Sequence, residues 1–388
     1  MSASPRRPLI DEGWMKEQLA ALLAIASPTG YTDTVVRHVC RVLDDLGVPY
    51  GLTRRGAIRA HIRGDDSAGA RAIVSHLDTL GAQVRALKPN GRVSLAPIGP
   101  WSARFAEGAR ATLFTDHGSY RGTILPLKAS GHAYNDEIDT QPVGWDHVEL
   151  RIDAQAFGLD DLRALGIEVG DIIAIDPHPE FLDSGFIVSR HLDNKAGVAV
   201  MLAAIKALAD AGHHPPVDTF WLFTIAEEVG HGAASILLPD IASMVAVDNG
   251  TTAPGQNSSE FGVTIAMADQ TGPFDYHLTR KMAALCHEHD IPAQKDIFRH
   301  YRSDSASAIE AGADVRTALV TFGVDASHGY ERIHCHALRA LADLLCIYAQ
   351  SPVEIPRDRK VLAGLSGFTR QPTAPVEIDP VTPPEDAE

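Results

Sequence analysis

The sequence predicts an α/β fold: a doubly wound, mostly parallel sheet interrupted by a β-rich insertion. Three observations predict it. Apolar runs of strand length alternate with helical patterns on both sides of residues 85–182, the signature of crossover-linked parallel strands. Three of those runs end in His or carboxylate residues, as strands do when their carboxyl ends face a ligand. Residues 85–182 differ, being rich in Gly, Pro and short β-like runs with few long helical patterns.

In chain order, MKEQLAALLAIA has apolar residues at helical spacing and stops at SPTG. TDTVVRHVCRVLDDLG resumes the helix, with Thr32 or Thr34 as cap and Gly47 as stop. RAIVSHLDTLG (71–81) is a buried strand carrying His76 and Asp78 at its end. ATLFTDHGSYRGTILPL, HVELRID and GDIIAID supply the strands of the insertion. SRHLDNKAGVAVMLAAIKALADAG (189–212) is a loop and a strong helix. DTFWLFTIAEEVG (218–230) is a strand ending in two acids, and SMVAVDNG (243–250) repeats the pattern with Asp248. The expected organisation is a discontinuous unit of 1–84 and 183–355, an inserted unit of 85–182, and a disordered acidic, Pro-rich tail at 365–388.

At about 100–200 residues per domain, 388 residues suffice for that division. Apolar and charged contents of 45% and 22% are those of a globular chain, which excludes a mostly disordered one. A net charge of −16 argues against nucleic acid or an anionic membrane as partner. No apolar run approaches the ~20 residues that span a bilayer. No signal-peptide stretch follows the first arginines, and the four cysteines form no CxxC pair, so a reducing cytoplasmic setting is expected.

Five segments supply His and carboxylates: His76-x-Asp78, Asp193, Glu227-Glu228, Asp248 and His328. Taken singly, each has an ordinary explanation. Asp193 could cap the following helix, adjacent acids are usually a solvated pair, and DNG is a common turn. Together they form a Cys-free N/O donor set suited to zinc, cobalt or manganese. Two cations ~3.5–4 Å apart need a shared ligand, and a carboxylate can bridge them. With Asp193 as bridge, His76 and Asp248 can complete one position, and Glu228 and His328 the other. Asp78 would then hydrogen-bond the free nitrogen of His76 and fix its tautomer. Glu227 would be the general base, taking a proton from the attacking water and passing it to the leaving amine. His334 and His336 compete with His328; His328 is preferred because it follows a strand-like run and loop, whereas the other two begin the last helix.

The series H-L-D…L-D-N-K-A-G…E-E-V-G-H-G-A…V-D-N-G…S-H-G-Y-E-R resembles the forty-second metallopeptidase family, which includes glutamyl and tetrahedral aminopeptidases. The resemblance runs from about residue 15 to 350 and includes SPTGYTDTVVRHV, APIGPWSARF, LRALGIEVGDIIAID and YRSDSASAIEAGADVRTALV. It implies a zinc-peptidase-like catalytic unit, an inserted β-barrel used in assembly, two divalent cations per chain with zinc the expected metal, and removal of N-terminal residues from short peptides. It further implies the ligand roles above, a cis peptide at Asp193–Asn194, and homo-oligomers from dimer to dodecamer. Asp304, in YRSDS, resembles the segment that faces the substrate amine; Arg302 and His300 are candidate carbonyl or carboxylate contacts. This chain departs from the pattern at Thr79, at Lys195 and at the Gly-Tyr-Glu-Arg after His328. The SHGYER ending resembles a branch associated with an osmoprotectant glutamine dipeptide. Two other functions are weighed: a deacylase of small N-acyl substrates, and a non-catalytic scaffold. A retained base beside an unpaired cluster of acids argues against the scaffold.

Overall fold

The computed structural model describes residues 5–353 and 355–373; of the expected acidic tail, residues 374–388 lie outside them. Residues 365–373 carry no helix or strand.

Four strands run parallel at the centre of a twelve-stranded sheet: Val217–Thr224, Asp66–His76, Ile241–Thr252 and Arg316–Asp325, in that spatial order. They are the apolar runs read from the sequence. Ala70 through His76 are all buried, as expected of strands covered on both faces. The flanks are antiparallel: Ile58–Ile62 pairs Val217–Thr224, and Glu331–His334 pairs Phe186–Ser189. The sheet is therefore mixed at its edges and parallel where it carries the polar strand ends.

The helix Leu192–Asp210 is buried on every side from Leu192 to Ile205, the mark of a helix inside a core. It packs on the central strands and between Glu12–Leu23 and Cys335–Gln350. No helix among the described residues is long and apolar enough to cross a membrane.

The chain leaves this sheet after His76 and forms a closed six-stranded antiparallel barrel from Gly81–Leu87, Val93–Ile98, Val148–Ile152, Gly118–Pro126, Arg110–Thr115 and Ile172–Ile175. Closure removes exposed edges. The barrel has its own core, including Val84, Leu95, Leu113, Ile124, Leu150 and Ile173. Its Gly99–Trp101 turn reaches back to the sheet: the His328 ring bonds the Pro100 carbonyl.

Candidate active site

The candidate side chains cluster toward the carboxyl ends of the central strands and at the start of the buried helix, with Asp248 inside Ile241–Thr252, four residues before its end. His76 is the last residue of its strand, paired with Thr224. Ala246 pairs Val74 in parallel register, so two residues on, Asp248 comes beside His76. Glu227 and Glu228 lie just beyond Thr224, and His328 just beyond Asp325. Asp193 occupies the first turn of Leu192–Asp210, next to a cis Asp193–Asn194 peptide.

Asp193 faces two ways. Its Oδ1 lies 3.2 Å from His76 Nε2, and its Oδ2 lies 3.3 Å from His328 Nε2. Asp248 Oδ1 is 3.9 Å from His76 Nε2, and Glu228 Oε2 is 3.6 Å from His328 Nε2. Two clusters result, His76–Asp193–Asp248 and Asp193–Glu228–His328, each with ligand atoms within 4.8 Å of one another. Glu227 stands at the mouth, its Oε2 3.7 Å from His76 Nε2 and its side chain 13% exposed.

Both imidazoles are oriented from behind. His76 Nδ1–H donates to the Asp78 carbonyl at 2.9 Å, and His328 Nδ1–H donates to the Pro100 carbonyl at 3.2 Å. Each ring thus turns Nε2 toward the carboxylates. This corrects the expectation for Asp78. Its backbone oxygen, not its carboxylate, fixes His76; the carboxylate is 3.6 Å from Nδ1. The carboxylate instead accepts from the backbone N–H of Glu227 at 3.1 Å and Glu228 at 3.3 Å, and from the Thr29 hydroxyl at 2.7 Å. It holds the loop that carries both glutamates.

Two positioning residues escaped the sequence reading. Glu331 accepts from the Asp193 N–H at 3.1 Å through one oxygen and from the His328 N–H at 2.9 Å through the other. Asn249 Nδ2 donates to Asp193 Oδ2 at 2.6 Å. The positive φ of +63 at His328 shows how closely that backbone is constrained. Glu331 lies in the SHGYER string, but only its distance from His328 in sequence hinted at a role.

The predicted substrate contacts separate. Asp304 is buried beneath the glutamate loop: it accepts from the Thr224 hydroxyl at 2.7 Å, and a Cβ on Gly232 would fall 1.8 Å from its Oδ1. Arg302 pairs with Glu310 at the surface at 2.6 Å. His300 is exposed on the rim of an open cleft of about 810 Å³ that runs from Thr251 to Tyr301. His334 caps the last helix, its Nδ1 accepting from the His336 N–H and its Nε2–H donating to the Ser184 carbonyl, so its ring is committed elsewhere.

Burial and mutual repulsion dominate the electrostatics. Burial first, then the Asp193 charge, pushes Glu228 up to about 8 and Asp248 up to about 7. Burial also raises Glu227 well above the carboxylate range and Asp304 to about 6. His328 rises to about 10: burial opposes this, but the bond to Asp193 and the Glu228 charge outweigh it. The Tyr301 phenol is held well above its ordinary value by burial and by the charges of Asp248, Glu227 and Asp193, so it keeps its proton.

Glu228 Oε1 and Asn249 Oδ1 are buried without a hydrogen-bond partner. Unsatisfied buried acceptors and crowded acids are costly unless something positive joins them. Oxygen and imidazole donors without sulfur suit a divalent ion, so the residues fit one.

Such a site at the strand ends of an α/β sheet is that of a metal-dependent hydrolase. The sequence pattern of the family described as M42 glutamyl aminopeptidase matches residues 56–344. A Bacillus subtilis (strain 168) protein named "Putative aminopeptidase YhfE" is 36% identical over 338 residues, covering 87% of this chain and 97% of that one. In fold, the aminopeptidase APDkam598 from Desulfurococcus kamchatkensis superposes with a TM-score of 0.80 at 21% identity, over 91% of this chain and 99% of its own. The Pyrococcus horikoshii TET1 peptidase gives 0.75 at 22% identity, over 86% and 99%. The chain belongs to the M42 glutamyl aminopeptidase family. It is a peptide-bond hydrolase of a class that uses divalent metal.

Proposed function

We propose that this protein is a two-cation aminopeptidase that removes N-terminal residues from short peptides. The observation that carries the reading is the Asp193 carboxylate, with one oxygen toward each His–carboxylate trio at 3.2 and 3.3 Å. His76 and Asp248 would hold one cation, Glu228 and His328 the other, with zinc the expected metal. When bound, the cations would supply Lewis acidity to the scissile carbonyl and the attacking water. Glu227 is the base: it takes the proton of that water and delivers it to the leaving amine. Asp78, Asn249 and Glu331 hold these groups in place through the bonds described above. The open cleft lined by Thr251, Met267 and Tyr301 receives the peptide. Assembly into homo-oligomers is part of the reading, supported by the Pyrococcus horikoshii TET1 peptidase, which can assemble into a tetrahedron or a large octahedral shell. The expected compartment is the cytoplasm.

One observation favours a second reading, a deacylase of blocked substrates. Asp304, the residue expected to meet the free amine, is turned inward and committed to Thr224. The test is hydrolysis of free-amine, N-acetylated and glutamine-containing osmolyte dipeptides by the wild type and Glu227→Gln. Cleavage of free-amine peptides alone, abolished in the variant with metal content intact, supports the aminopeptidase. Cleavage of blocked dipeptides alone establishes the deacylase, and no cleavage with no bound metal leaves a scaffold.

A further inference from the structure

Every strong donor described around the cluster is already engaged. The two Nδ1–H groups are given to the carbonyls of Asp78 and Pro100. Asn249 Nδ2 is given to Asp193. The remaining groups facing the reacting centre are carboxylates, which accept and repel developing negative charge. Tyr301 is the exception. Its hydroxyl is buried and makes no hydrogen bond of ordinary geometry, although it lies toward Asp248. The residue lines the open cleft that runs from Thr251 to Tyr301, and the charges of Asp248, Glu227 and Asp193 act on its phenol. Its frame is fixed: the carbonyl accepts from the Gln270 N–H at 2.9 Å, and the ring meets Phe298 edge-on at 5.6 Å between centroids.

A buried hydroxyl whose nearest acceptor, Asp248, lies outside ordinary hydrogen-bond geometry is poorly satisfied, which is a cost to the folded protein. A rigid donor aimed into a reaction cleft is also what stabilises charge that appears only in the transition state. We propose that Tyr301 is a catalytic residue whose O–H donates to the scissile carbonyl oxygen as that oxygen gains negative charge. The inference rests on the hydrolase reading above. No covalent bond to Tyr301 forms, and its proton stays on the phenol.

The test is Tyr301→Phe, assayed beside the wild type and Glu227→Gln on the dipeptide that the wild type cleaves best. Loss of one oxyanion donor typically lowers kcat by ~100-fold or more. The expected result is a kcat lower by that order with KM and bound metal unchanged. A phosphinic dipeptide analogue, which mimics the charged tetrahedral centre, should bind weaker by a similar factor, while product inhibition stays the same. The melting temperature should hold or rise, since no hydrogen bond of ordinary geometry is removed; a tyrosine that merely supports the fold would lower it. A kcat close to wild type, a change confined to KM, or loss of metal would each overturn the proposal. A wild type that cleaves no peptide or blocked dipeptide removes the hydrolase reading itself, and this inference with it.

Discussion

Replacing Glu331 by Gln keeps the side chain's size but leaves one acceptor oxygen for two backbone donors. One of the bonds, to Asp193 N–H at 3.1 Å or His328 N–H at 2.9 Å, must be lost. Leaving one of these N–H groups without its acceptor costs about 1–3 kcal/mol. The loss should fall on His328. Asp193 begins a helix buried on every side, whereas His328 is held at φ +63 in a loop. For a residue with a Cβ, that conformation costs on the order of 1–3 kcal/mol and persists only where surroundings enforce it. Affinity for the cation on the His328 side should therefore fall by about 5–150-fold, since each 1.4 kcal/mol is tenfold. Titration of the metal-free variant with cobalt, followed by absorption and calorimetry, separates the two binding events. The His76 side should stay within about threefold of wild type, a difference of under 1 kcal/mol. Equal losses on both sides, or none, would refute the reasoning.

Two further outcomes follow from the same geometry. In metal-free protein, folded Glu228 at about 8 and Asp248 at about 7 hold protons that the unfolded chain releases near 4.5 and 3.8. Stability should therefore fall as pH rises across that window. His328 acts in the same sense: its contribution is complete below 6.5 and lost as pH rises through about 10. Thermal scans in chelator should show a lower melting temperature at alkaline than at mildly acidic pH, reversed by excess zinc; a melting temperature indifferent to chelator would count against the site. Lys195→Met should cost about 1–3 kcal/mol in urea denaturation, because the Ile25 carbonyl loses its side-chain donor and the Leu22 carbonyl keeps only the Ile25 N–H. That donor is Lys195 Nζ, which bonds the Leu22 carbonyl at 2.7 Å and also the Ile25 carbonyl at the end of the first helix. Metal content should not change, and a loss of metal would show that Lys195 acts on the site instead.

The central strands and their polar ends were legible because a buried apolar run that stops at a carboxylate is physically unusual. WLFTIA followed by Glu227-Glu228, and MVAV followed by Asp248, carry that signal in a few residues. His328 was legible from the strand before it. What could not be read was support by backbone groups. The Asp78 carboxylate serves N–H groups 149 and 150 residues away, and Glu331 serves one 138 residues away. Amides look alike in any sequence, so such partners emerge only from the fold. The same holds for the antiparallel flanks, whose short strands pair with distant ones, and for the inward turn of Asp304. Lys195 stood out only as a departure from pattern; its task, capping the first helix, lies 170 and 173 residues away.

The proposed function turns on one carboxylate, Asp193, joining two cation positions. Metal content per chain, measured by plasma emission on wild type, Asp248→Asn and Asp193→Asn after equilibration with limiting free zinc, tests it most directly. Two ions are expected in the wild type, about one after loss of the ligand particular to the His76 side, and neither retained at wild-type affinity after loss of the shared ligand. A single ion in the wild type, or an Asp193→Asn protein that gives up only one of two, would contradict it.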